Sequence, residues 1–115
     1  MKNAFIIVCM LLVFSVPGYA VKVYPNPWIP DSKTDNDRHG NYITGIKFDN
    51  LSASGGTIYI YNVTGELVRR LDWASGKTEE NWDGRNNRSE YVGSGIYIWV
   101  IKDGGTKSGK IVVIR

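Results

Sequence analysis

Short runs in which apolar and polar residues alternate fill most of this chain, and glycine, asparagine, aspartate or proline breaks them at close intervals. A period of two marks half-buried strands. Residues 21–24 (VKVY) alternate and stop at Pro25-Asn26-Pro27, where two prolines remove backbone donors and impose extended or turn geometry. Residues 42–48 (YITGIKF) return to strand, with Gly45 read as a bulge. Residues 57–61 (TIYIY) give the strongest strand signal, being β-branched or aromatic throughout. Across the Asn62-Val63-Thr64-Gly65 turn, residues 67–71 (LVRRL) run back as the second arm of a hairpin. Residues 78–82 (TEENW) form another strand, and a long polar connection leads on to Gly95. Residues 96–102 (IYIWVIK) are apolar on both faces, as a central strand would be, and residues 110–115 make the last strand after an Asp103-Gly104-Gly105 turn. Residues 28–41, polar and aperiodic, read as a surface loop. About seven short strands and no helical periodicity predict an all-β fold, an immunoglobulin-like antiparallel β-sandwich.

The first twenty residues differ in kind. Lys2 precedes an apolar run over residues 4–16, and Pro17-Gly18-Tyr19-Ala20 follows. That is the pattern of a signal peptide cut after Ala20, leaving residues 21–115 as one domain bound for periplasm, cell surface or medium. The run is shorter than the roughly 17–25 residues a spanning helix needs. The single cysteine, Cys9, leaves with it, which excludes thiol nucleophiles and cysteine-based zinc sites from the mature domain. Lys and Arg number 14 against 11 acidic residues, so loss of Lys2 leaves a balance of +2. The cations are scattered, without the basic stripe of a nucleic-acid binder.

Gly104 to Lys110 (GGTKSGK) has the G-x-x-x-x-G-K spacing of a phosphate loop. Such a loop needs a following helix and a Ser or Thr directly after the lysine. Here Ile111 follows and the β-branched run to Arg115 is strand, so the glycines are those of a turn. His39 has no nucleophile motif to serve. Asp31, Asp35 and Asp37 crowd one loop and offer a calcium option, although His39 and Ile46 stand where oxygen ligands would be wanted. Glu79 and Glu80 are adjacent on a strand and diverge, unlike a glycosidase pair. Trp82 and Trp99 read as core. Trp28 and Trp73, nearer loops, read first as core or staple and second as an exposed glycan-stacking surface. Of the Asn-x-Ser/Thr triplets at Asn50, Asn62 and Asn87, two lie in tight turns, where turn chemistry explains them. No cofactor, small-molecule substrate or enzymatic role is expected, and membrane contact is expected only through export.

Four stretches in order then resemble a known bacterial family: Tyr24-Pro25-Asn26-Pro27; the hairpin from Tyr59 to Arg69 with Gly65 at its turn; Trp82-Asp83-Gly84 followed by Gly95-Ile96-Tyr97; and Ser108-Gly109-Lys110 with the apolar ending. The pattern is similar to C-terminal sorting domains of type IX secretion cargo, which overlap with the immunoglobulin-like domain of flagellar hook-capping proteins. The resemblance implies a non-catalytic sorting or surface-attachment module whose partners are the type IX translocon or envelope proteins. It places the contact on the terminal hairpin, at Lys107, Gly109, Lys110 and Arg115. The alternative expectation is a stand-alone adhesive or scaffold module of the envelope, glycan-binding through Trp28 or Trp73.

Overall fold

Alternation along each strand puts one set of side chains inward, and two sheets close over that set. The computed structural model describes residues 20–30 and 45–115. Its strands are β1 (Lys22–Tyr24), β2 (Ile46–Asp49), β3 (Gly56–Asn62), β4 (Leu67–Trp73), β5 (Glu80–Trp82), β6 (Gly95–Lys102) and β7 (Thr106–Val113). They form a three-stranded sheet, β1-β2-β5, and a four-stranded sheet, β4-β3-β6-β7, with antiparallel pairing throughout. This is the strand order of an immunoglobulin-like sandwich in which one extra strand joins the sheet of the last two. Residues 1–19, expected as a signal peptide, the stretch with Asp31, Asp35, Asp37 and His39 expected as a loop, and residues 42–44 lie outside the described residues.

The core is aliphatic and tryptophan-rich. Ile46, Phe48 and Trp82 from one sheet meet Ile58, Ile60, Ile101 and Ile111 from the other, all with no exposed surface. Trp99 meets Phe48 edge-on, with centroids 5.9 Å apart, and Trp82 meets Tyr97 the same way at 5.7 Å. Tyr97 lies near the start of β6, and its hydroxyl donates to the Gly93 carbonyl at 2.9 Å. That backbone tie just upstream is a tyrosine corner, a recurrent device of this architecture. Burial raises the Tyr97 pKa, so the phenol remains a donor.

Three sequence expectations are corrected. The last strand begins at Thr106, four residues before the expected Lys110, and pairs with β6 over its whole length. Gly45 is no bulge but sits just before β2, where a Cβ would run into the Trp82 carbonyl. The register shift falls between Ile60 and Tyr61, which face Arg69 and Leu67, so Val68 is the extra residue. That bulge turns Leu67 out to solvent beside Tyr61. The hairpin, the central β6 and the Asp103–Gly105 turn stand as read, with Gly104 at φ 100°.

Candidate functional site

β7 is an edge strand, and open edges invite unwanted pairing. Half of this edge is covered by the Pro25-Asn26-Pro27-Trp28 segment, which returns from the other end of the chain. The Asn26 side chain donates to the Lys110 carbonyl at 2.9 Å and accepts from the Val112 amide at 3.0 Å. Trp28 then pairs in parallel fashion. Its amide donates to the Val112 carbonyl at 2.7 Å, and its carbonyl accepts from the Ile114 amide at 2.9 Å. The prolines on either side of Asn26 carry no amide donor of their own. The expected surface loop therefore starts as a clasp on β7, and Trp28 is 4% exposed rather than solvated.

Trp28 is held by the third motif. Its ring tilts against Trp82 at 6.3 Å and lies over Gly84, where φ is 78° and a Cβ would enter the ring. Asp83 accepts from the Arg85 amide at 3.0 Å and shapes that turn. Arg115 closes the end. Its Nε donates to the Val92 carbonyl at 2.7 Å, and its guanidinium lies 6.0 Å from the Trp28 ring and 4.9 Å from Tyr91. The Ser94 hydroxyl accepts from the Arg115 amide at 2.9 Å. Motifs more than eighty residues apart in sequence thus meet at one end of the sandwich.

The residues expected to form a sorting contact are not gathered into one surface. Lys107 is near the turn end of β7 and pairs with Asp103 at 3.3 Å. Gly109 is covered by the Trp99 indole, as its partner register requires. Lys110 is exposed on the outer face, and Arg115 belongs to the clasp. Trp73, like Trp28, is 4% exposed, with its Nε1 donating to the Ser52 carbonyl at 2.8 Å. Neither tryptophan offers the stacking surface that the glycan-binding alternative requires.

Sequence reading missed a second copy of the hairpin turn. Asn62 Oδ1 accepts from the amides of Thr64 and Glu66 at 3.1 and 3.0 Å. Asn86 Oδ1 accepts from the amides of Arg88 and Glu90 at 2.9 and 3.0 Å. In both, the fourth residue has positive φ, 88° at Gly65 and 63° at Ser89. The common signal is Asn-x-x-(Gly/Ser)-Glu, hidden because the second copy lies in a long polar connection. This loop also guards the other edge strand, for the Asn87 amide donates to the Val68 carbonyl at 2.9 Å. Between the two loops is an open polar cleft of about 250 Å³ bordered by Asn62, Glu66, Asn87, Arg88 and Tyr97. Its asparagines are engaged in turn and edge hydrogen bonds. Because serine is strained where glycine is not, Ser89→Gly should raise stability by about 0.5 kcal/mol and Gly65→Ser should lower it by about 1 kcal/mol. Thermal melts of the pair check the opposite signs.

One further cluster is structural in character. Asp49 is 1% exposed and accepts from the Tyr24 hydroxyl at 3.2 Å and the Asn50 amide at 2.9 Å. Burial first, and then the Asp49 charge, raise the Tyr24 pKa and keep that donor protonated. Among the described residues no group of three or more His, Cys, Asp or Glu is placed to hold a metal ion.

The geometry defines an immunoglobulin-like sandwich whose last strand is clasped by its first loop. Solved structures with this fold include a part of PorZ from Porphyromonas gingivalis, described as an essential bacterial surface component of the type IX secretion system. That match has 29% identity and a TM-score of 0.62 over 84% of this chain. Dimeric latent PorU from Porphyromonas gingivalis matches over 82% of the chain at 22% identity and TM-score 0.53, a likeness of fold. The chain spans 12% of the PorZ chain and 9% of the PorU chain. No family model and no curated protein matches it.

Proposed function

We propose that this chain is a non-catalytic, exported β-sandwich of a type IX secretion system, acting as a sorting or cell-surface attachment module. The observation that carries the reading is the 29% identity, over 84% of the chain, to a domain-sized part of a surface component of that system. The clasp supports it, because the four stretches of the sorting-domain resemblance serve the sandwich: Asn26, with the neighbouring Trp28, holds the last strand at Lys110, Gly109 of that strand lies under Trp99, Trp82 and Gly84 seat Trp28, and Gly65 turns the central hairpin. The partners are the translocon or envelope proteins, and the location is the envelope or beyond it. On this reading the fold delivers an intact C-terminal strand to its receptor, and the Lys110 side chain is a polar feature of that strand that the clasp contacts leave exposed.

A reporter fusion tests it. Residues 21–115 attached to the C-terminus of a folded periplasmic reporter should carry it to the surface or medium in a host with a type IX apparatus. The same fusion should stay in the periplasm of the translocon-null sibling. Periplasmic retention in both hosts would refute the sorting role.

A further inference from the structure

The outward face of the four-stranded sheet is apolar at its centre and cationic around it. Tyr59 and Tyr61 stack with centroids 6.3 Å apart. Beside them Leu67, Ile96 and Ile98 are 46%, 45% and 39% exposed. The register sets Ile98 between Tyr61 and Lys110, and Ile96 next to Val112. Arg70 lies over the Tyr59 ring at 5.7 Å, and exposed Lys102 and Lys110 stand on β6 and β7. The carboxylate on this face, Asp72, is occupied by the Thr57 hydroxyl at 2.7 Å and Arg70 at 3.4 Å. The three-stranded sheet has a different balance, with Lys47 paired to Glu79 and Lys77 to Glu80, each at 3.2 Å.

Three physical points select an occupant. The peptide groups of β3 and β6 are paired with strands on both sides, so this face can leave water without orphaning backbone donors. Tyrosines and lysines around aliphatic side chains are the composition of a membrane interface, where lysine stems stay apolar while the ammonium reaches phosphate. Protein interface cores are depleted in lysine instead, and the like charge of Lys102 and Lys110 opposes face-to-face pairing of two copies. We propose that this face docks on an anionic phospholipid bilayer, with Ile96, Ile98 and the tyrosine pair entering the interface and Lys102 and Lys110 on headgroup phosphates. The inference is independent of the sorting role and adds a membrane contact beyond export.

The full chain carrying Cys9→Ser is labelled with an environment-sensitive fluorophore at Ile98→Cys, or at exposed Asn81→Cys on the other sheet as control. Labelling the face itself separates docking from anchoring by the apolar N-terminal run. Vesicles of phosphatidylcholine with phosphatidylglycerol should shift the emission at position 98 to the blue and leave position 81 unchanged. Lys102→Glu with Lys110→Glu should raise the anionic lipid needed for half the shift by about 25-fold, about fivefold for each cation lost. Circular dichroism melts confirm that these surface variants fold. No shift at position 98, or an equal shift at position 81, would overturn the proposal. So would a shift that pure phosphatidylcholine matches or that the double reversal leaves unchanged. A shift that follows protein concentration without lipid would also overturn it, in favour of self-association.

Discussion

Gly84→Val is expected to cost about 3–5 kcal/mol and to loosen the C-terminal strand before the rest of the domain. Two costs combine. Gly84 has φ 78°, and a β-branched residue held there is strained by about 1–3 kcal/mol. Its Cβ would also occupy the space of the Trp28 ring, and overpacking of that kind costs about 1–3 kcal/mol more. Displacing Trp28 breaks the bridge to Val113 and frees the Ile114 amide, and, by drawing the adjoining Asn26 side chain off β7, it exposes the Val112 amide as well. Hydrogen exchange should therefore show those two amides losing protection, with the melting temperature falling about 4–8 °C per kcal/mol. Gly76→Val is the matched control, since Gly76 has φ 90° but nothing within 4 Å of an added Cβ. It bears the backbone strain alone. Equal losses in the two variants, with Val112 and Ile114 still protected in both, would show that Trp28 does not depend on Gly84.

Local signals were legible and long-range ones were not. β3 could be read because its residues 57–61 are all β-branched or aromatic, and β6 because apolar residues on both faces mark a central position. The start of β7 was hidden for the same kind of reason. Thr106, Lys107, Ser108 and Gly109 carry no apolar alternation, because Lys107 holds an inward position beside Asp103 and Gly109 leaves its inward space to Trp99. Pairing with β6 makes those residues a strand. The Val68 bulge likewise depends on register, which one strand's sequence does not contain.

The candidate site shows the same division. Pro25-Asn26-Pro27 could be seen to stop a strand, but its attachment to Lys110 and Val112 is a contact across 84 and 86 residues. Trp28 looked ambiguous because it stands at the head of a stretch without periodicity. Its burial comes from Trp82 and Gly84, whose spacing from it carries no period. The motifs were thus readable as individual turns and stops, while their joint role in holding one edge strand required the fold.

Gly109→Val should cost about 2–4 kcal/mol, a large share of the roughly 5–15 kcal/mol that holds a domain together. A Cβ at this position would lie 2.7 Å from Trp99 Cε2 and 2.9 Å from its Nε1, closer than packed atoms approach. The indole cannot easily yield, because the edge-on Phe48 ring backs it in the core. Valine itself suits a strand better than glycine, so the penalty is steric and belongs to the pair. In a Trp99→Leu background the same substitution should cost close to nothing. Urea denaturation of the four proteins would give a coupling of about 2 kcal/mol or more; additivity within error would place the cost elsewhere. The result bears on sorting as well. If Gly109 acts through packing, reporter export by Gly109→Val should fall in step with its stability and recover in the double variant. Lys110→Glu, on the exposed face, should leave the melting temperature unchanged, so any export it loses reports a contact rather than the fold.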